Sequence, residues 1–152
     1  MTVEIGTQLP ELRIEATPTF VVSSAIATRD FQDVHHDRDR AVALGSKDIF
    51  VNILTSTGLV QRFVTDWAGP SALVTSVAIR LGVPCYAYDT LVFTGHVASV
   101  DGDETTVEVV GANSLGNHVT GTVRFAWASG SIAATASGRG ADQATPEDGV
   151  LA

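Results

Sequence analysis

Hydrophobic residues change their period part-way along the chain, near Gly69-Pro70. Ahead of that point Ile53, Thr57, Val60, Val64 and Trp67 recur at helical spacing, and Leu54, Gly58, Leu59 and Phe63 widen the stripe beyond one face. This pattern predicts a long helix over Ile53 to Trp67 that the rest of the protein has to wrap. Gly69, just past its end, and Pro70, which cannot continue it, stop the helix. From Ala72 onward the period is two. Leu73, Thr75, Val77 and Ile79 alternate with Val74, Ser76, Ala78 and Arg80, and after Gly82 to Pro84 come Leu91, Phe93, Gly95 and Val97. A turn at Asp101-Gly102 leads into Thr105 to Val110, and one over Asn113 to Asn117 leads into Val119, Gly121, Val123, Phe125 and Trp127. A long buried helix ahead of a curved antiparallel sheet is an α+β arrangement, with the sheet curled around the helix.

The N-terminal part is shorter in its elements. Leu12 and Ile14 alternate in a strand that ends at Ala16, and Thr17-Pro18 reads as a hydroxyl N-cap followed by proline at the first helical position. The β-branched residues between Phe20 and Ala27 favour strand, but the cap and the polar loop that comes next favour a short helix, and helix is the expectation. Asp37 caps a brief helical turn through Arg40 to Leu44, which Gly45 ends. Residues 129–152 are Gly, Ser, Ala and Thr with few large apolar groups, so a single domain over residues 1–128 is expected to carry a flexible acidic tail.

Composition narrows the possible partners. At 152 residues and 45% hydrophobic content the chain has enough apolar surface for one core and no length for a second domain. Its net charge of −8, with Lys47 the sole lysine and the arginines scattered, argues against nucleic acid and against an anionic membrane, since phosphate binding needs a clustered basic face. Cys85 is the only cysteine, which rules out an internal disulfide, and the first residues have neither a basic nor an apolar segment of the kind that directs export. A reduced, cytoplasmic protein is expected.

The stretch Arg29-Asp-Phe-Gln-Asp-Val-His-His-Asp37 is too polar for a core and sits just ahead of the long helix. Asp30 and His35 suit a bend that turns two titratable groups into one cleft, an arrangement that moves protons. In a polar loop such a pair more often serves turns and caps. Asp33, His35, His36 and Asp37 could form a metal cluster, but no second ligand group stands at a fixed spacing, so no metal is expected. The start of the long helix, at Asn52, offers free backbone N–H groups and the positive end of a dipole.

These segments resemble the MaoC-like enoyl-CoA hydratases of the hotdog fold. Their Gly-Asp-x-Asn-Pro-x-His-x-Asp motif is similar to Asp30-Phe-Gln-Asp-Val-His35-His-Asp37, with Gln32 and Asp33 replacing Asn and Pro. Their Pro-Val-x-x-Gly-Asp-Thr-Leu motif is similar to Pro84-Cys-Tyr-Ala-Tyr-Asp89-Thr-Leu91, with Tyr88 where glycine is common. The likeness spans residues 10 to 128 and extends, along Ala27 to His36 and Asp48 to Leu81, to two-subunit members of bacterial steroid side-chain degradation. The resemblance implies a hydratase subunit that adds water across the 2,3-double bond of an enoyl-CoA, with Asp30 and His35 activating the water. Coenzyme A is then part of the substrate, and no separate cofactor is expected. The backbone N–H of Asn52 would receive the enolate oxygen. The family has His-Gly there, so the Asn52 side chain either reshapes the pocket or adds its own amide donor. Arg80 is a candidate for the phosphates of coenzyme A. A larger MaoC-like subunit, itself joined to an OB-fold-type domain, would complete a heterodimer or heterotetramer. A non-catalytic acyl-CoA-binding or scaffolding subunit is the alternative. A hotdog thioesterase is disfavoured, because its carboxylate stands early in the central helix and the first acid here after Asp48 is Asp66.

Overall fold

A computed structural model describes residues 3–128; the expected tail, residues 129–152, lies outside the described residues. Strand β1 (Leu12–Glu15) leads into helix α1 (Pro18–Ala27), a single 3-10 turn (Asp33–His35) and a short helix α2 (Arg38–Ala43). The long helix α3 (Ile53–Ala68) comes next, then strands β2 (Ala72–Leu81), β3 (Thr90–Asp101), β4 (Glu104–Asn113) and β5 (Gly116–Trp127). All strand pairs are antiparallel, in the order β1-β3-β4-β5-β2, so β1 and β2 are the edges. The expected α+β architecture, a single curled sheet holding the long helix, is the one observed.

The local rules behind each element are visible at its ends. Thr17 Oγ1 accepts from the Phe20 N–H, Asp37 from the Arg40 N–H and Asn52 Oδ1 from the Thr55 N–H, so each α-helix opens on a side-chain cap. Gly69, at φ 85°, ends α3 in a conformation that side chains disfavour. Trp127 Nε1 donates to the Ala68 carbonyl at 2.9 Å, so the sheet satisfies one of the acceptors left at the helix end.

Helix α3 is not wrapped all round. Ser56, Leu59, Val60, Phe63 and Val64 are buried against the sheet, while Ile53 and Leu54 are each 51% exposed and Gln61, Arg62 and Asp66 face outward. The sequence stripe looked wide because Ile53 and Leu54 added apolar character to a face that this chain leaves open. Close approach on the covered face depends on Gly95: a Cβ there would come within 2.8 Å of the Phe63 ring and 2.5 Å of the Glu108 carbonyl.

The ladders shift register in β3 between Val97 and Ser99, in β2 and in β5, and the last two redirect side chains that simple alternation would place otherwise. In β2 the register shifts between Val74 and Ser76, so Leu73 and Thr75 face outward while Val77 and Ile79 face the core. The four do not share a face, as strict alternation over Ala72 to Arg80 would have it. In β5 the partner of Ala112 is Asn117 and the partner of Gly111 is Val119, which leaves His118 as the extra residue and buries His118 and Val119 in succession.

Candidate active site

The three residues singled out at the helix mouth meet. After α1, Thr28 ties its hydroxyl back to the carbonyls of Ser24 and Ala25, and Arg29 takes a positive φ of 58°, a sharp reversal that brings Asp30 over the start of α3. The 3-10 turn then returns His35 to the same place. Its Nε2 lies 3.5 Å from Asp30 Oδ2, with the two side chains only 7% and 15% exposed. Asn52, 2% exposed, donates from Nδ2 to Asp30 Oδ2 at 3.0 Å and to Thr28 Oγ1 at 2.9 Å.

Hydrogen-bond chemistry fixes the imidazole tautomer. His35 Nδ1 is 2.8 Å from the Phe50 carbonyl, which can only accept, so Nδ1 carries a proton. The Phe50 ring stands edge-on to the imidazole at 4.8 Å and holds its plane. In the neutral ring Nε2 is then a lone pair facing a carboxylate oxygen. At 3.5 Å the two acceptors do not bond each other, and a water seated beside the pair could reach both. An arrangement of this kind has the chemistry to hold a water and accept its proton.

Asn52 has a more specific place than its sequence position indicated. Both Nδ2 contacts are spent on Thr28 and Asp30, and Oδ1 is spent on the Thr55 N–H. Of the two alternatives for its side chain, a spare amide donor is therefore excluded in this arrangement. The side chain braces the carboxylate, and the backbone N–H of Asn52 has no acceptor among the described residues. The N–H groups of Ile53 and Leu54 are unpaired by helix geometry.

Arg80 is not brought to this cluster. It is exposed on edge strand β2 and forms no hydrogen bond or ion pair with Asp30, His35 or Asn52. The second motif instead borders a cavity of about 440 Å³ lined by Lys47, Tyr86, Tyr88, Asp89 and Ser114 among others. Lys47 Nζ sits 5.8 Å from the centre of the Tyr86 ring, which meets the Phe50 ring edge-on. Tyr88, 73% exposed, holds φ 72°, the region where glycine is at ease, which accounts for the glycine common at this position of the motif. Burial pushes the Asp89 carboxyl up, but hydrogen bonds from the Ser114 hydroxyl and from the N–H groups of Thr90 and Ser114, with the Lys47 charge, outweigh it and leave the group below the usual carboxylate range. Asp89 thereby clamps the start of β3 to the β4–β5 turn. Asp66, the helix acid weighed for a thioesterase, is exposed and paired with Arg62 near the far end of α3.

Alternation alone would have placed His118 outward. The β5 bulge turns it in, behind the mouth of α3, where Nδ1 contacts the Val83 carbonyl at 2.7 Å and Nε2 contacts Ser56 Oγ at 2.8 Å. Burial holds this imidazole below its ordinary range, so the neutral ring accepts from the Ser56 hydroxyl.

No family model matches the sequence. The chain is 68% identical, over 121 residues, to the 3-oxo-4,17-pregnadiene-20-carboxyl-CoA hydratase beta subunit of Mycobacterium tuberculosis, a match covering 80% of this chain and 94% of that protein. This chain belongs to the MaoC-like hotdog hydratase family. A crystal structure of the ChsH1-ChsH2 complex from Mycobacterium tuberculosis superposes with a TM-score of 0.81 and 66% identity, covering 84% of this chain and all of that one. The (R)-hydratase from A. caviae involved in PHA biosynthesis shares the fold, with a TM-score of 0.77 at 16% identity over 84% of this chain and 98% of that chain. Among the described residues no helix is long and apolar enough to cross a membrane.

Proposed function

We propose that this chain is the acid/base subunit of a two-subunit enoyl-CoA hydratase whose acyl group is a steroid side chain. The observation that carries the chemistry is the 3.5 Å gap between His35 Nε2 and Asp30 Oδ2, with each group braced from behind by Phe50 or Asn52. Asp30 takes a proton from a water bound beside the two groups, and the hydroxyl adds to C3 of the enoyl thioester. The electron pair of the double bond moves toward the thioester oxygen, where the unpaired N–H of Asn52 and the positive end of α3 stabilise the enolate. The proton held by Asp30, passed directly or through His35, is delivered to C2. Water is thus added without a cofactor, and the thioester remains intact. The steroid acyl group rests on the 68% identity to a pregnadiene-carboxyl-CoA hydratase beta subunit.

Exposed apolar residues flank both halves of the site. Phe31, next to Asp30, is 64% exposed, and Ile53 and Leu54, next to Asn52, are half exposed. A second subunit covering this face would bury them and exclude water from all but the reacting position. The relative seen in the ChsH1-ChsH2 complex supports a second, different subunit as that partner, and the larger MaoC-like subunit that the resemblance implies is the one proposed here.

Loss of absorbance at the enoyl band, followed after mixing the two-subunit complex with steroid and straight-chain enoyl-CoAs, measures the reaction. Asp30→Asn and His35→Ala are each expected to lower the rate at least about a hundredfold with assembly intact. Full activity in both variants would leave this chain as a scaffold, and release of free thiol would make it a thioesterase.

A further inference from the structure

One hydroxyl in the first turn of α3 is out of keeping with its neighbours. Other hydroxyls along the helices have an acceptor: Thr57 Oγ1 donates to the Ile53 carbonyl, Thr65 Oγ1 to Arg62, in α1 Ser23 to Phe20 and Ser24 to Val21, and Ser56 Oγ gives its proton to His118 Nε2. Thr55 does not. It is 7% exposed, and its Oγ1 is the buried side-chain polar atom that has no hydrogen-bond partner among the described residues. The residue four back is Val51, which precedes the N-cap and lies outside the helix.

A buried hydroxyl with an unused proton is costly unless something accepts it, and native structures keep such groups where a ligand or water completes them. Its position restricts the ligand. Side chains on a helix lean toward its N-terminus, so the Thr55 hydroxyl lies over the turn that begins at Asn52. The Thr55 N–H is tied to Asn52 Oδ1 at 2.9 Å, and the same Asn52 grips Asp30 at 3.0 Å. The helix mouth therefore carries the unpaired N–H of Asn52, the unpaired N–H groups of Ile53 and Leu54, and an unpaired buried donor that can only be matched by an acceptor.

We propose that the Thr55 hydroxyl is a substrate-binding donor that takes an acceptor oxygen of the acyl-CoA, the thioester carbonyl as it becomes an enolate. The inference rests on the hydratase reading and adds to it a side-chain donor beside the backbone one. The hydroxyl donates to the oxygen on C1, keeps its own proton throughout, and strengthens its bond as negative charge develops.

The test compares Thr55→Val, which keeps the shape and removes the hydroxyl, with Thr55→Ser, which restores it, both in the assembled two-subunit complex. The expected result is a kcat for hydration about tenfold lower in Thr55→Val, recovery in Thr55→Ser, and a melting temperature for Thr55→Val equal to or above that of wild type. A merely structural threonine would lower the melting temperature and leave kcat in place, and that outcome overturns the proposal. So does an unchanged kcat with unchanged stability, which would mean that the hydroxyl holds water only. A saturated acyl-CoA, which carries the thioester but cannot be hydrated, separates the two readings. If the wild-type complex binds it without hydrating the enoyl analogue, the hydratase function is refuted, and affinity about tenfold weaker in Thr55→Val still establishes the donor. If hydration proceeds equally in all three proteins, only the Thr55 assignment falls.

Discussion

Asn52→Asp is the sharpest probe of the site, because it preserves volume and the helix cap while exchanging one donor for an acceptor. Aspartate still offers an oxygen to the Thr55 N–H, so the N-cap survives. The exchanged atom is the one 3.0 Å from Asp30 Oδ2. Two carboxylate charges at 3.0 Å repel by roughly 5 kcal/mol with an effective dielectric constant of about 20. Relaxation and the nearby Thr28 hydroxyl reduce this, and about 3 kcal/mol is expected to appear as lost stability at neutral pH. For a domain of this size that is a fall of roughly 6–12 °C in melting temperature. The loss should shrink on acidification toward pH 5, because the pair can retain one shared proton and the repulsion disappears. Hydration by the variant should fall relative to wild type over the same acidification, since a proton shared between the two carboxyls removes the base. Thermal unfolding of the complex at pH 7.5 and pH 5.5, with rates from the enoyl band, measures both. A variant as stable as wild type at pH 7.5 would show that Asn52 does not hold the Asp30 carboxylate, and the role given to the amide would fail with it.

Two further perturbations test the surroundings. The depressed basicity of His118 means that the unfolded chain binds a proton before the folded chain does; its contribution to stability is complete above about pH 6.5 and is lost as pH falls below it, with a slope of up to about 1.4 kcal/mol per pH unit. Urea midpoints between pH 7.5 and 5.5 should therefore fall more steeply in wild type than in His118→Leu, and equal slopes would contradict the buried, neutral ring. Tyr88 occupies a positive φ while largely exposed, so Tyr88→Gly should exceed Tyr88→Ala in stability by about 1 kcal/mol, the reverse of the usual order of these residues. Denaturant titration decides it; an alanine variant at least as stable as the glycine one would refute the strain.

The sequence by itself determined what local chemistry controls. Thr17-Pro18, Asp37 and Asn52 name the helix starts because a side-chain oxygen beside free N–H groups acts within three residues. The change of period at Gly69-Pro70 divides helix from sheet, and the spacing of Asp30 and His35 was enough to single out the pair that the fold brings together. Tertiary structure decided everything that depends on which residue lies opposite. Strand pairing inserted one extra residue near Thr75 and another at His118, and each insertion reverses the faces of the residues beyond it; no period-two reading of a single strand contains that information. Pairing also set Arg80 on an exposed edge strand away from the cluster. Asn52 looked like a cap or an oxyanion donor, and only the approach of the Thr28–Asp30 turn, some two dozen residues earlier in the chain, shows that its amide braces a carboxylate. The open face of α3 was equally invisible, because apolar residues left exposed carry the same pattern in sequence as those that meet the sheet.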